Sequence, residues 1–318
     1  MKLILGSGVD PNQDFEIYER LTKEKPGLFI FLGNIKFSKY FNPNDHQTQN
    51  IKELQEPNFL NFLNRFPALS IWSDADFKSY VSAKGYLNKT ELQNEFLHFF
   101  HEYASSSRWN RNGMYHSYEL KKDKIKIQVI LLDTSYFRSY PLVNTLKHFQ
   151  LKSSRIDRDS NLLGREQWEW LESEFLKSYD IRLIAGGLKF NDSISTEMNW
   201  NDYPFEKLKL LNLLRKHKVS GCIFLSGSTS DSGISKIEEE GLPDMYEMIT
   251  GPLTHLSPSE EKTQNENITQ SIQPNFGLIE ISEKLKEVFL KLEIHSINEK
   301  ISSVRVPLNS LQVLKFRR

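Results

Sequence analysis

CIFLSGSTSD, Cys222 to Asp231, sets an apolar run directly against a string of small hydroxylated residues. Cys222 to Leu225 reads as the end of a strand buried on both faces, and the hydroxyl-rich residues as far as Gly233 read as the loop that follows. In α/β proteins the loops beyond strand carboxyl ends collect ligands and catalytic groups. Ser228, Thr229 and Ser230 are poor metal ligands, and without a base beside them they are poor nucleophiles. The Gly-x-Ser-x-Gly elbow of serine hydrolases is absent from the sequence.

The same kind of apolar run recurs outward from this stretch. Leu28 to Leu32, Ile125 to Leu132, Ile181 to Ala185, Gly221 to Leu225 and Phe276 to Ile281 are continuous rather than alternating, which predicts strands covered on both faces. Met1 to Leu5 reads as a first strand closed by Gly6, Ser7 and Gly8. Between the runs lie helical patterns. Arg165 to Leu176 places Trp168, Leu171 and Phe175 on one face, and Pro204 to His217 opens on proline and closes on basic residues that suit a helix C-terminus. Alternation of strand and helix predicts a layered α/β domain. Leu256 to Gln273 is polar and aperiodic and reads as a long surface loop. Glu287 to Ile294 and Ile301 to Leu308 read as a terminal hairpin. No linker or repeat divides the chain, so residues 1–318 are expected to form a single domain, with 282–318 a C-terminal hairpin extension.

The 318 residues can bury a sizeable core. Lys plus Arg equal Asp plus Glu at 41 each, so bulk charge selects neither nucleic acid nor an anionic membrane. A single cysteine, Cys222, excludes an internal disulfide and a cysteine-built metal site. The first apolar run is too short for a secretory signal, and no run approaches the ~18 residues of a membrane span. A cytoplasmic protein is expected.

In order along the chain stand GSG after the first strand, LFIFLGNIKF, ALSIWSDADF, NGMYHSYEL, KIQVILLDTSYFR, LLGREQWEWLE, WNDYPFEKLKLL, CIFLSGSTSD, YEMITGPLTH and NFGLIEI. This series resembles the alkaline phosphatase D (PhoD-like) branch of the metallophosphoesterases from residue 1 to about residue 281. LLGREQWEWLE and LLDTSYFR are its most specific pieces. The resemblance implies a four-layer αββα sandwich: two mixed β-sheets face to face, helices outside, and metals at the strand ends.

The resemblance also implies a metal cluster that holds phosphate and activates water, built from carboxylates and histidines. At the matching positions this chain departs from the pattern. A cysteine ligand after the first strand is replaced by Gly8. A bridging aspartate and a tyrosine are replaced by Asn34 and Phe37. In Trp72-Ser73-Asp74-Ala75-Asp76 the histidine is missing, and a following asparagine becomes Tyr80. The aspartate and histidine expected after the Cys222 strand are Ser228 and Ser230. Two divalent ions about 4 Å apart repel by roughly 16 kcal/mol at an effective dielectric of ~20. Gly8, Asn34, Phe37, Ser228 and Ser230 supply no negative charge against that repulsion, so no metal cofactor is expected.

The polar residues that survive admit two readings each. Asp74 and Asp76 are leftover catalytic carboxylates, or they satisfy backbone amides in the turn. His255 is a pocket residue or a hydrogen-bonded structural histidine, and His116 is a weaker candidate of the same kind. Lys36 and Arg138 bind an anion, or Lys36 turns to solvent and Arg138 pairs with a carboxylate. The expected protein is a catalytically degenerate PhoD-like phosphatase whose pocket is vestigial or binds an anion without metal, with a phosphate-containing small molecule or a protein as partner. The alternative is an active metal-dependent phosphomonoesterase or phosphodiesterase with an atypical site of Asp74, Asp76, Asp231 and His255, using Ca, Fe, Mn or Zn.

Overall fold

The computed structural model of the chain describes residues 1–9, 16–35, 57–76, 89–139, 160–191, 198–227, 231–254, 268–270 and 273–313. In these residues the strands run β1 (Lys2–Gly6), β2 (Leu28–Phe31), β3 (Ala68–Ser70), β4 (His116–Lys122), β5 (Ile125–Leu131), β6 (Ile181–Gly186) and β7 (Cys222–Ser226). They continue with β8 (Asp231–Ile237), β9 (Met245–Ile249), β10 (Ile268–Gln270), β11 (Asn275–Lys284), β12 (Glu287–Ser296) and β13 (Lys300–Pro307). The helices are α1 (Glu16–Glu24), α2 (Pro57–Arg65), α3 (Lys89–Phe99), α4 (Gly164–Phe175) and α5 (Pro204–Lys216).

The strands form two mixed sheets. The first has the order β13-β12-β11-β1-β2-β3 and the second β10-β8-β9-β7-β6-β5-β4. β1, β2 and β3 are mutually parallel, as are β5, β6, β7 and β9, while β11 to β13 and β4, β8 and β10 pair antiparallel. Two mixed sheets with helices on their outer faces make this an α/β fold of the expected αββα kind.

The alternation of side chains along β7 shows why its sequence is uninterrupted in hydrophobicity. Ile223 and Leu225 join the core between the sheets, with Leu3, Leu5, Leu183 and Ala185. Cys222 and Phe224 point the other way, to a second core under α4 and α5 that includes Trp168, Leu171, Leu210 and Leu214. On the first sheet, Phe29 meets Phe62 of α2 edge-on at 5.1 Å, and Tyr18 of α1 meets Phe59 at 5.5 Å. Each such fully buried ring contributes about 1.5–3 kcal/mol relative to exposure.

Local chemistry sets the helix ends. α1 carries Glu16 and Glu19 in its first turn and Lys23 in its last, and α5 opens on Pro204 and closes on Arg215 and Lys216, each in the sense the helix dipole favours. α4 starts at Gly164 with φ +76°, where a Cβ would stand 2.6 Å from Cγ of Phe137. Both the backbone sign and the close approach require glycine there.

Two expectations are corrected. Leu256 to Gln273 is not loop throughout, since β10 adds an edge strand whose Ile268 is opposite Gly233 of β8. The hydroxyl-rich loop after β7 ends sooner than expected, because Asp231, Ser232 and Gly233 belong to β8. In both cases ladder hydrogen bonds to a neighbouring strand overrode weak local propensity. The expected terminal hairpin is present as β12 and β13, and β12 pairs with β11 from Asn275↔Ser296 to Lys284↔Glu287, which extends the first sheet. Among the described residues no helix is long and apolar enough to cross a membrane.

Candidate functional site

The loops that follow β1, β2 and β3 in the first sheet meet the loops that follow β6, β7 and β9 in the second. A Cβ on Gly187 would be 2.8 Å from that of Ser73, and one on Gly227 would be 2.9 Å from that of Ser7. Glycine is the residue that lets backbones approach this closely. The loops are also joined by hydrogen bonds. Gly8 N donates to Gly33 O at 3.0 Å, Val9 N to Asn34 O at 3.0 Å, and Leu253 N to Ser7 O at 2.7 Å. Gly8 and Asn34 both have positive φ, +64° and +66°.

Asp76 lies at the centre of this layer and is fully buried. Its Oδ2 accepts from Asn34 N and Ser73 N, both at 2.8 Å, and from Ser73 Oγ at 3.2 Å, while Oδ1 accepts from Ile35 N at 2.8 Å. A carboxylate has about four acceptor sites. Three of these contacts fall on Oδ2 and one on Oδ1, and three of the donors are backbone amides.

Asp74, two residues earlier, accepts from Ser135 Oγ at 3.2 Å and forms an ion pair with Nη1 of Arg138 at 2.6 Å. Arg138 has no exposed side-chain surface. Burial alone would lower its pKa, and the adjacent Asp74 charge outweighs that and raises it. Asp231 at the start of β8 is likewise committed, to Nζ of Lys189 at 2.6 Å, with both side chains buried.

Two further buried carboxylates organise the layer and are not singled out by sequence reasoning. Asp133 accepts from Trp72 Nε1 at 2.8 Å and Met114 N at 2.7 Å through Oδ2, and from Ser135 N and Tyr136 N at 2.9 and 2.8 Å through Oδ1. Burial pushes its carboxyl pKa up, against the four bonds that favour the charged form. Glu247 of β9 accepts from Phe190 N and Ser226 Oγ, both at 2.6 Å, and from Asn191 N at 2.8 Å, and burial raises its pKa as well. The signal for Asp133 was available: an aspartate that ends an apolar strand and precedes Thr-Ser-Tyr is placed to close an Asx turn on the amides two and three residues on. Lys189 carries no comparable signal.

His116 is half-buried on β4, its ring 4.6 Å from that of Tyr118. Lys36, Phe37, Tyr80, Ser228, Ser230 and His255 lie outside the described residues. Among the described residues no group of three His, Cys, Asp or Glu side chains could hold a metal ion. A dinuclear centre needs open carboxylate lone pairs from several loops. Asp76 is engaged by amides, Asp74 and Asp231 face cations, and Gly8 and Asn34 bring no charge, so the donor set among the described residues does not fit such a centre.

No curated protein matches the sequence. The solved structure of PhoD is similar with a TM-score of 0.68 and 16% identity, over 96% of this chain and 68% of that one. GAP50, described as the anchor in the inner membrane complex of Plasmodium, is similar with a TM-score of 0.56 and 14% identity, over 96% of this chain and 88% of that one. The model of the PhoD-like phosphatase family matches residues 100–290. That span holds Asp133, the α4 motif and the β7 loop, and the chain belongs to the PhoD-like phosphatase family.

Proposed function

We propose that this chain keeps the PhoD-like scaffold without its phosphoesterase chemistry and serves as a binding module. One observation carries the reading: the fully buried Asp76 carboxylate accepts the backbone amides of Asn34, Ile35 and Ser73 and the Ser73 hydroxyl. A carboxylate so engaged serves the backbone of the turns, which disfavours its use as a metal ligand or general base. Pairing of Asp74 with Arg138 supports the same reading for the second candidate. GAP50, described as an anchor, is a protein of similar fold, which supports the use of the scaffold for binding here.

In this reading the ligand is an anion such as a phosphate-bearing small molecule, held without metal, with Lys36 as its cationic contact. The protein acts in the cytoplasm. The test is hydrolysis of nitrophenyl phosphate and bis-nitrophenyl phosphate by the full chain with Mn, Fe, Ca or Zn added. Turnover at the buffer rate is expected. Turnover well above it that is lost in Asp76→Asn makes the protein a working phosphoesterase and ends the proposal. Calorimetry with inorganic phosphate supplies the second arm, with binding expected for the wild type and lost in Lys36→Ala.

A further inference from the structure

We infer that Arg138 and Asp74 form a clamp that joins the two sheets at their strand ends, where a metallophosphoesterase fold implies bridging metals, and that folding is therefore independent of metal ions. The inference deepens the functional reading above, since it concerns the same layer of loops.

The two partners come from opposite sheets. Asp74 follows β3, the last strand of the first sheet, and Arg138 follows β5 of the second. The Nη1 to Oδ2 approach is 2.6 Å, with no exposed surface on Arg138, and Ser135 Oγ adds a second-sheet donor to the same carboxylate at 3.2 Å. Other contacts run alongside. Trp72 Nε1 reaches Asp133 Oδ2 at 2.8 Å, and Arg108, in the segment before β4, donates from Nη2 to Ser70 O at 2.7 Å. The segment Ser70 to Asp76 is thus tied to the second sheet by side-chain and backbone groups.

The chemistry of the clamp is that of a permanent internal cation. A guanidinium stays protonated at every accessible pH, is weakly hydrated for its charge, and cannot be removed by a chelator. A metal bridge would compete for the same carboxylate, which here already faces a guanidinium and a hydroxyl. Lys189 and Asp231 repeat the arrangement within the second sheet, at 2.6 Å. Arg138 is fully buried and Asp74 is 20% exposed, so removing one member strands the buried charge, while replacing both by apolar groups restores stability.

Thermal unfolding of the full chain tests this. Tm is expected to agree within about 1 °C among protein treated with EDTA and protein supplied with Mn, Zn, Fe or Ca. Arg138→Met is expected to lower Tm by about 5–8 °C, and Asp74→Leu/Arg138→Met to return it to within about 2 °C of wild type. If Arg138→Met does not fold, Asp74→Asn, which keeps an acceptor for Ser135 Oγ, replaces it as the single variant of the cycle. A rise of more than about 3 °C with any of the four metals, or additive rather than compensating losses in the double variant, overturns the inference. Stabilisation by metal without ester hydrolysis refutes the clamp alone. Hydrolysis without stabilisation by metal refutes the functional reading alone.

Discussion

The side-chain amide of Gln167 pairs with the backbone of Asp133 in both directions: Asp133 N donates to Gln167 Oε1 at 2.8 Å, and Gln167 Nε2 donates to Asp133 O at 2.9 Å. The two motifs most specific to the family, LLDTSYFR and LLGREQWEWLE, are thus one hydrogen-bonded unit. Glu206 of α5 extends it, its Oε2 accepting from Leu162 N and Leu163 N at 3.1 Å and from Trp168 Nε1 at 2.9 Å. Gln167→Leu keeps the volume but leaves a buried N–H and a buried carbonyl unpaired, and is expected to cost about 2–4 kcal/mol in urea unfolding. Gln167→Glu is expected to be worse, since a carboxylate there accepts but cannot donate. A loss under about 0.5 kcal/mol in either variant would show that water replaces the amide.

Asp76 should behave as a structural acceptor. Asp76→Asn keeps one oxygen but turns an NH2 group towards amides that also donate, so it is expected to destabilise by about 2–4 kcal/mol. Cleavage by added protease should rise near Asn34, because that turn is held by the lost bonds. Urea unfolding and mapping of the cut sites check both points. An Asp76→Asn protein as stable as wild type, with unchanged cleavage, would return Asp76 to the list of functional carboxylates.

Much of the fold was legible because both faces of the central strands are covered, which leaves runs such as Gly221 to Leu225 without a polar residue. β8 was not legible. Its sequence, DSGISKI, has serine, glycine and lysine where a strand favours branched residues, and it becomes a strand through its ladder to β9 and its buried pairing of Asp231 with Lys189. At the site, the sequence posed the choice for Asp76 between chemistry and amide binding without resolving it. Two of the amides it serves, Asn34 and Ile35, lie some forty positions away, and only the fold brings them there. Lys189 was missed for the same reason: nothing beside it in the chain marks the carboxylate it meets.

Cys222 is expected to be inert in the folded protein. Its side chain is buried on the α4 and α5 side of β7, and burial pushes the thiol pKa up to about 12. Since the thiolate is the reactive species, the native protein should give no reaction with a disulfide reagent at pH 8, and one equivalent after denaturation in guanidinium. Rapid reaction of the native protein would mean that β7 opens locally or that the helices do not cover it.

His116 predicts a component of acid sensitivity. Burial first, and the charges of Arg108 and Arg111 second, lower its pKa from 6.5 to about 4. Its Nδ1 is buried without a hydrogen-bond partner, as suits a neutral ring. A histidine with a depressed folded pKa is protonated first in the unfolded chain. Its contribution is therefore full above pH 6.5 and is lost as pH falls from 6.5 towards 4. The ring is half-exposed and solvent screens it, so the loss should be about 1–2 kcal/mol rather than the full value of the shift. Buried Asp133 and Glu247, whose carboxyl pKa values are raised, act in the opposite sense at acid pH, so the comparison must be with a variant that leaves them in place. His116→Phe keeps a ring against Tyr118 and removes the titration. Between pH 7 and pH 4 wild type should lose about 1–2 kcal/mol more than this variant in urea unfolding, and equal losses would show that His116 is hydrated and titrates alike in both states.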